Sequence, residues 1–455
     1  MTHAAALPRL VVVGGGFAGL WAVRSLARVP LSITLVDRAN HHLFQPLLYQ
    51  VATAGLSAPD IAAPLRHILR EQSNVAVRLA EVTGIDLAAR TVALADGGAL
   101  GYDFLLVASG ATHAYFGHDE WAAHAPGLKT LDDALAIRRR VLTAFERAEA
   151  AAASGDAAAA EGWLHFAVVG AGPTGVELAG TLAEIAHHTL TREFRHIDPH
   201  RARVRLIEVG PAVLASFPPA LQAKARAQLE RLGVEVATGQ PVSAIDGTGY
   251  RLGDTHHACG TVLWAAGVAA SPLGRRLAAS AQAAAASPGL LPNASPATPG
   301  GEAGGATIEL DRAGRVKVTA DLSLPGHPEV FVAGDLAAIT QPDGRPVPGI
   351  APAAKQMGTQ VAHALRARLA GRPAPAFRYR DYGNLATIGR MAAVVDLRGL
   401  HLSGLLAWWF WLAAHVFFLI GFRNRLLVLL NWAWAYWTYQ RHARIVHGGA
   451  AGESA

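Results

Sequence analysis

A chain of 455 residues is too long for one hydrophobic core and suits two or three domains. Only 16% of its residues are charged and 51% are hydrophobic, an apolar balance that hints at membrane contact, and the formal charge of +6 favours an anionic surface. The arginines are scattered, which disfavours nucleic acid, and the lone Cys259 excludes an intrachain disulfide and any electron relay through a cysteine pair.

Met1–Leu10 lacks a charged region followed by a long apolar one, so no secretory signal is expected. The apolar run Leu10–Val13 reads as a buried parallel strand and leads into Gly14-Gly15-Gly16-Phe17-Ala18-Gly19, a G-x-G-x-x-G turn before a helix reaching Leu26. In such a turn the first glycine permits the bend and the second lets backbone approach a pyrophosphate. The third lets helix pack on strand, and the phosphates meet the positive helix N-terminus. A second strand, Ser32–Val36, ends at Asp37, 18 residues after Gly19, where a carboxylate can accept from both ribose hydroxyls of an adenosine. Phe104–Ala108 then runs into Ser109-Gly110, a second close approach to the same cofactor.

The plan repeats 156 residues on: strand Phe166–Val169, Gly170-Ala171-Gly172-Pro173-Thr174-Gly175, and a helix to about His188. Its ribose-reading strand, Arg203–Val209, carries Glu208, 33 residues after Gly175, so Thr189–Arg201 is an added helix or loop. The strand Val262–Ala266 and Gly267 close this unit. One fingerprint is weak evidence; two in this context imply two dinucleotides, and so a flavin that takes electrons from a nicotinamide. Glu208 favours NADH over NADPH, because a carboxylate repels a 2′-phosphate. Ala148–Gly162 reads as an alanine-rich linker and Ala278–Ala306 as a disordered insertion, low in charge and aromatics.

After the insertion, Val330–Ala333 ends in Gly334-Asp335, an acid placed either to meet a flavin's ribityl chain or to cap the next helix. Pro352 suits a first helical turn. The helix it opens carries Gln356 and Gln360 on one face, either lining a pocket or facing solvent. Gly404–Phe422 is 19 residues without formal charge, and Leu426–Gln440 is a second apolar run of 15. Six of the ten tryptophans fall between Trp408 and Trp437. One membrane span plus an interfacial helix competes with an interfacial pair; the tryptophans and the arginines between the runs favour the pair.

Several of these segments together resemble one family. Phe44-Gln45-Pro46-Leu47-Leu48-Tyr49-Gln50-Val51-Ala52-Thr53, Gly110–Gly117, both fingerprints, Val330–Asp335 and Pro352–Gln360 make the chain similar to the type II NADH dehydrogenases, single-subunit NADH:quinone oxidoreductases that pump no protons. The likeness runs from about Leu7 to Val446 outside the insertion. It implies an α/β fold of two Rossmann-like dinucleotide-binding domains, of the two-dinucleotide flavoprotein type, plus C-terminal membrane-anchoring helices. The expected division is 7–118 and 307–370 for FAD, 119–277 for NADH, 278–306 as insertion, 371–402 as strands and 403–446 as anchor.

By position, the resemblance implies that Gly14, Gly16, Gly19, Asp37, Gly110 and Asp335 bind FAD. Gly170, Gly172, Gly175, Glu177 and Glu208 face NADH, while Gln45, Tyr49, Lys355, Gln356 and Gln360 lie near flavin and quinone. Glu177 is a candidate proton donor, or else a first-turn acid favoured by the helix dipole. Lys355 is a candidate to stabilise quinolate. Pro352 stands where many members carry glutamine, so one quinone contact is missing. The histidines show no ligand spacing, and no metal is expected. The implied setting is the cytoplasmic face of a bacterial inner membrane, on anionic phospholipid. Ubiquinone versus menaquinone, and whether the chain forms a homodimer, stay open.

Overall fold

The computed structural model describes residues 6–286, 307–397, 399–420, 422–438, 441 and 443–446. The chain forms two compact units: Met1–His42, Ala63–Thr112 and Val268–Asp381 make the first, and Leu43–Ala62, His113–Gly267 and Tyr382–Ala455 the second. The motif Phe44–Thr53, which falls within the 7–118 segment assigned to FAD, belongs to the second unit.

The first unit is built on a six-stranded sheet. Arg9–Val13 lies between Ser32–Asp37 and Phe104–Val107, parallel to both, with Val11 opposite Thr34 on one side and Leu105 on the other. Val75–Leu79 extends the sheet beyond Ser32–Asp37, and His327–Val332 extends it beyond Phe104–Val107. Leu10, Val12, Leu105, Leu106 and Phe331 are buried, as near-continuous apolar runs demand in a parallel sheet. Strand order reverses beside Arg9–Val13, and ligands of open α/β sheets bind at such a switch point. The helix Phe17–Ser25 meets the helix Ala351–Leu369 so closely that a Cβ on Gly358 would lie 2.1 Å from the Ala18 carbonyl oxygen.

The expected insertion starts too early. A helix occupies Leu273–Ala286, with Leu277, Ala278 and Ala281 buried and Ser280 Oγ accepting from Leu87 N–H at 3.0 Å. Alanine-rich sequence suggested disorder as far back as Ala278, but small side chains also let a helix lie flat on a core. The rest of that segment, 287–306, falls outside the described residues.

The second unit repeats the plan with four parallel strands, in the order Val234–Thr238, Arg203–Glu208, His165–Val169, Thr261–Trp264. Ala148–Gly162 is not a linker either. The helix Leu131–Ala153 and the helix Ala157–Trp163 run through it, with Ala148 and Ala160 buried. Thr130 and Asp133 form a reciprocal capping box at the start of the first helix, and Asp156 caps the second. The added segment after Ile185–Thr189 holds turns and a short 3-10 helix, Pro199–Arg201. Glu149 gathers the N–H groups of Arg195, His196 and Ile197 there. Cys259 is buried among the core of this unit, where burial pushes its thiol up to about 12. It packs as one of the core residues of this unit.

An antiparallel sheet of Asn384–Gly389, Ala392–Leu397 and Leu400–Ser403 carries the C-terminal helices Leu405–Phe418 and Phe422–Thr438. Among the described residues no helix is long and apolar enough to cross a membrane. The uncharged run breaks after Phe418, where Leu419 is extended and its carbonyl accepts from Arg425 Nε at 2.8 Å. The 14 residues of the first helix reach about 21 Å, short of the ~30 Å hydrocarbon core.

Candidate functional site

In the first unit each fingerprint glycine shows a separate constraint. Gly14 has φ +105°, and Gly19 packs so tightly that a Cβ there would lie 1.9 Å from the Gly14 carbonyl oxygen. Gly16 and Gly110 face open space instead. The helix Phe17–Ser25 begins at Gly16 with no side-chain cap and no acid in its first turn. Its N–H groups, the positive helix end and the bare glycine surface together fit a pyrophosphate. Asp37 accepts from Gly15 N–H at 2.6 Å and Ala39 N–H at 2.7 Å, which leaves lone pairs for ribose hydroxyls. His42 braces the turn with Nδ1 2.9 Å from the Gly15 carbonyl, and burial lowers its pKa to about 4, so it is a neutral donor. No local pattern around His42 encodes that brace, which spans 27 positions.

Residue by residue, the second unit matches. Gly170 has φ +99°, a Cβ on Gly175 would lie 1.7 Å from the Gly170 carbonyl oxygen, and Gly172 faces open space. Glu208 accepts from Ala171 N–H at 2.7 Å and Gly210 N–H at 2.8 Å, the same two positions that Asp37 binds. The helix Pro173–Glu184 again starts uncapped, without an acid in its first turn. Two copies of one dinucleotide cradle are therefore present.

The same helix leads to a third feature. A cavity of about 120 Å³ in the second unit is lined by Tyr49, Gln50, Glu184, Arg390, Trp432 and Arg441, among others. Gly180 lets the helix approach the strand Asn384–Gly389, since a Cβ there would lie 1.7 Å from the Ile388 carbonyl oxygen. Glu177, deep in this contact, is only 8% exposed. Burial pushes its carboxyl well above the ordinary range, against a smaller opposing pull from the Thr387 N–H. It is no solvated first-turn acid.

Arg441 donates to Glu184 at 3.0 Å and to the Thr53 carbonyl at 3.0 Å, closing one wall. Glu184, Arg390, Trp432 and Arg441 were absent from the sequence-based candidates. Arg441 follows directly on the apolar run Leu426–Gln440.

Other candidates land differently. Gln356 and Gln360 do share a face, and the amide of each bonds to backbone. Gln356 exchanges two hydrogen bonds of 2.9 Å with Arg380, and Gln360 donates to the Pro375 carbonyl. They tie the segment after the helix back onto it. Lys355 lies over the Trp21 ring at 4.4 Å, and burial, with Arg24 adding to it, lowers its pKa to about 8. Gln45 donates to the Lys129 carbonyl at 3.1 Å. Asp335 sits in the turn Gly334–Leu336 at the end of its strand, half-buried, beside Gly349.

A family model described as pyridine nucleotide-disulphide oxidoreductase matches residues 8–358. Among solved structures, NDH2 from Plasmodium falciparum in complex with NADH superimposes with a TM-score of 0.82 at 18% identity, covering 97% of this chain and 100% of that one. The sulfide:quinone oxidoreductase of Aquifex aeolicus gives a TM-score of 0.67 at 17% identity, with 92% of each chain covered. These two share the fold. With its paired sheets and cradles, the chain belongs to the pyridine nucleotide-disulphide oxidoreductases.

A second model, the NDH2 C-terminal domain, matches residues 382–438. The type II NADH:quinone oxidoreductase Ndh of Mycobacterium tuberculosis is 44% identical over 447 residues, covering 95% of this chain and 89% of that protein. The demethylphylloquinone reductase of Synechocystis is 30% identical, covering 94% and 96%. Within its class the chain belongs to the type II NADH:quinone oxidoreductases.

Proposed function

We propose that this protein catalyses NADH + H⁺ + quinone → NAD⁺ + quinol at a membrane surface, without moving protons across it. The observation that carries the reading is the doubled carboxylate clamp, Asp37 on Gly15 and Glu208 on Ala171, in a chain that also holds a cavity beside a buried carboxyl. Bound FAD would supply the two-electron chemistry that links NADH to quinone. Gly14, Gly16, Gly19, Asp37, Gly110 and Asp335 hold it. Gly170, Gly172, Gly175 and Glu208 hold NADH, and the Glu208 carboxylate repels the phosphate of NADPH.

The cavity bounded by Tyr49, Trp432 and Arg441 takes the quinone headgroup. Glu177 keeps its proton to higher pH than an exposed carboxyl does, and supplies it as the quinone gains charge. The exposed apolar faces of the two C-terminal helices rest in the interface of an anionic bilayer. A single cysteine and an NADH donor suit the cytoplasmic face of a bacterial inner membrane.

An anaerobic titration tests the reaction. NADH should bleach the yellow of the purified protein in equimolar amount, and quinone should restore it. A protein that binds flavin yet does not bleach is no NADH oxidoreductase.

Glu177→Gln tests the proton. Bleaching by NADH should be unchanged, while quinone turnover falls about tenfold. Wild-type turnover should decline as pH rises through the carboxyl's raised pKa, because only the protonated form donates. The variant has no such limb. An identical pH profile in both proteins would remove Glu177 from the proton path.

A further inference from the structure

Tyr49 is 4% exposed and lines the cavity, and its phenol oxygen accepts from Gln50 Nε2 at 2.9 Å. The other end of the Gln50 amide, Oε1, accepts from Trp432 Nε1 at 2.7 Å. Oxygen and nitrogen of an amide look alike in shape, so their assignment needs a partner of fixed polarity. Trp432 provides one, because an indole N–H donates and never accepts. It therefore holds the Gln50 oxygen on its own side and leaves the nitrogen facing Tyr49. The phenol oxygen is thereby made an acceptor from Gln50, and its own hydrogen must go elsewhere. Among the described residues no acceptor receives it.

We propose that Tyr49 donates this hydrogen to the carbonyl oxygen of the quinone in the cavity, aimed by a one-way chain that starts at Trp432. The proposal rests on reading the cavity as the quinone site. As two electrons arrive, negative charge gathers on that oxygen, and a donor fixed beforehand stabilises it without reorganising. The phenol keeps its proton throughout: burial raises its pKa well above the ordinary phenol value. Tyr49 thus supplies a hydrogen bond, and protons for quinol come by another route. Gln50 and Trp432 are positioning residues that act through Tyr49.

Trp432 belongs to the C-terminal helix Phe422–Thr438, while Tyr49 and Gln50 come from the short helix Leu48–Ala52. Donor polarity in the cavity thus depends on a helix whose outer face is apolar and exposed. Displacing that helix frees the Gln50 amide to flip, which would turn its carbonyl toward the phenol and draw the donor hydrogen away from substrate. Docking of the helix is in this way linked to readiness for quinone.

A double-mutant cycle on the full-length protein in phospholipid vesicles, with a short-tailed ubiquinone, tests the chain. Flavin content and NADH:ferricyanide rate report folding. Tyr49→Phe should lower quinone kcat/KM about a hundredfold. Trp432→Phe, which keeps an aromatic ring but removes the N–H, should lower it about tenfold by letting Gln50 flip. Together they should be no worse than Tyr49→Phe alone, because Trp432 acts only through the phenol. Additive losses would make Trp432 a packing residue and break the chain. Unchanged quinone kinetics in Tyr49→Phe would overturn the donor outright. Ala435→Phe, on the cavity wall, should raise the quinone KM. If it does not, the cavity is not the quinone site, and the donor assignment falls with it.

Discussion

Gly175→Ala should give a yellow protein that no longer oxidises NADH. The added Cβ would lie 1.7 Å from the Gly170 carbonyl oxygen, well inside any tolerated contact. Helix and strand must part, and the uncapped N–H groups of the helix Pro173–Glu184 then no longer converge on a pyrophosphate. We expect NADH affinity to fall about a hundredfold or more, the equivalent of ~3 kcal/mol. FAD content should stay at one per chain, because the first cradle is built from other residues. Gly19→Ala, with its Cβ 1.9 Å from the Gly14 carbonyl oxygen, should do the reverse and yield colourless protein. Absorbance gives the flavin content, and fluorescence titration gives NADH affinity. Normal NADH binding by Gly175→Ala would show that the second turn does not hold the donor.

What could be read from the sequence follows from how local each constraint is. The glycine turns were legible because their requirements close within six residues: a positive φ, an open surface, a tight packing contact. Asp37 and Glu208 were legible as strand-end acids, although their clamps on Gly15 and Ala171 were not. Alanine-rich segments misled because composition does not say whether small side chains face a core. Ala148, Ala278 and Ala281 do. Gln356 and Gln360 share a face as spacing requires, but spacing cannot name the backbone at Pro375 and Arg380 that binds them. The cavity lay furthest from view. Gln50 meets Trp432 across 382 positions and Glu184 meets Arg441 across 257, and no local pattern encodes such a pairing.

The C-terminal helices both wall the cavity and present an apolar face, and the two roles can be separated. Ala407, Trp411 and Val428 are buried within the second unit, whereas Trp409 is 55% exposed, Phe417 68%, Leu430 56% and Trp437 84%. Truncation after Leu402 would remove Trp432 and Arg441 together with the exposed face, so lost quinone turnover could mean either. Replacing Trp409, Phe417, Leu430 and Trp437 by glutamine keeps the wall. Each large apolar side chain contributes on the order of 2 kcal/mol when it leaves water, so removing four should abolish membrane binding. The variant should appear in the supernatant with its FAD, and with normal turnover of ferricyanide and of a short-tailed quinone. Turnover of a long-tailed quinone in vesicles should fall at least tenfold, because the tail partitions into the bilayer and the headgroup must be reached from there. Retained membrane binding would place the anchor on another surface. Loss of short-tailed quinone turnover as well would mean that the outer face helps to shape the cavity and does more than bring it to the lipid.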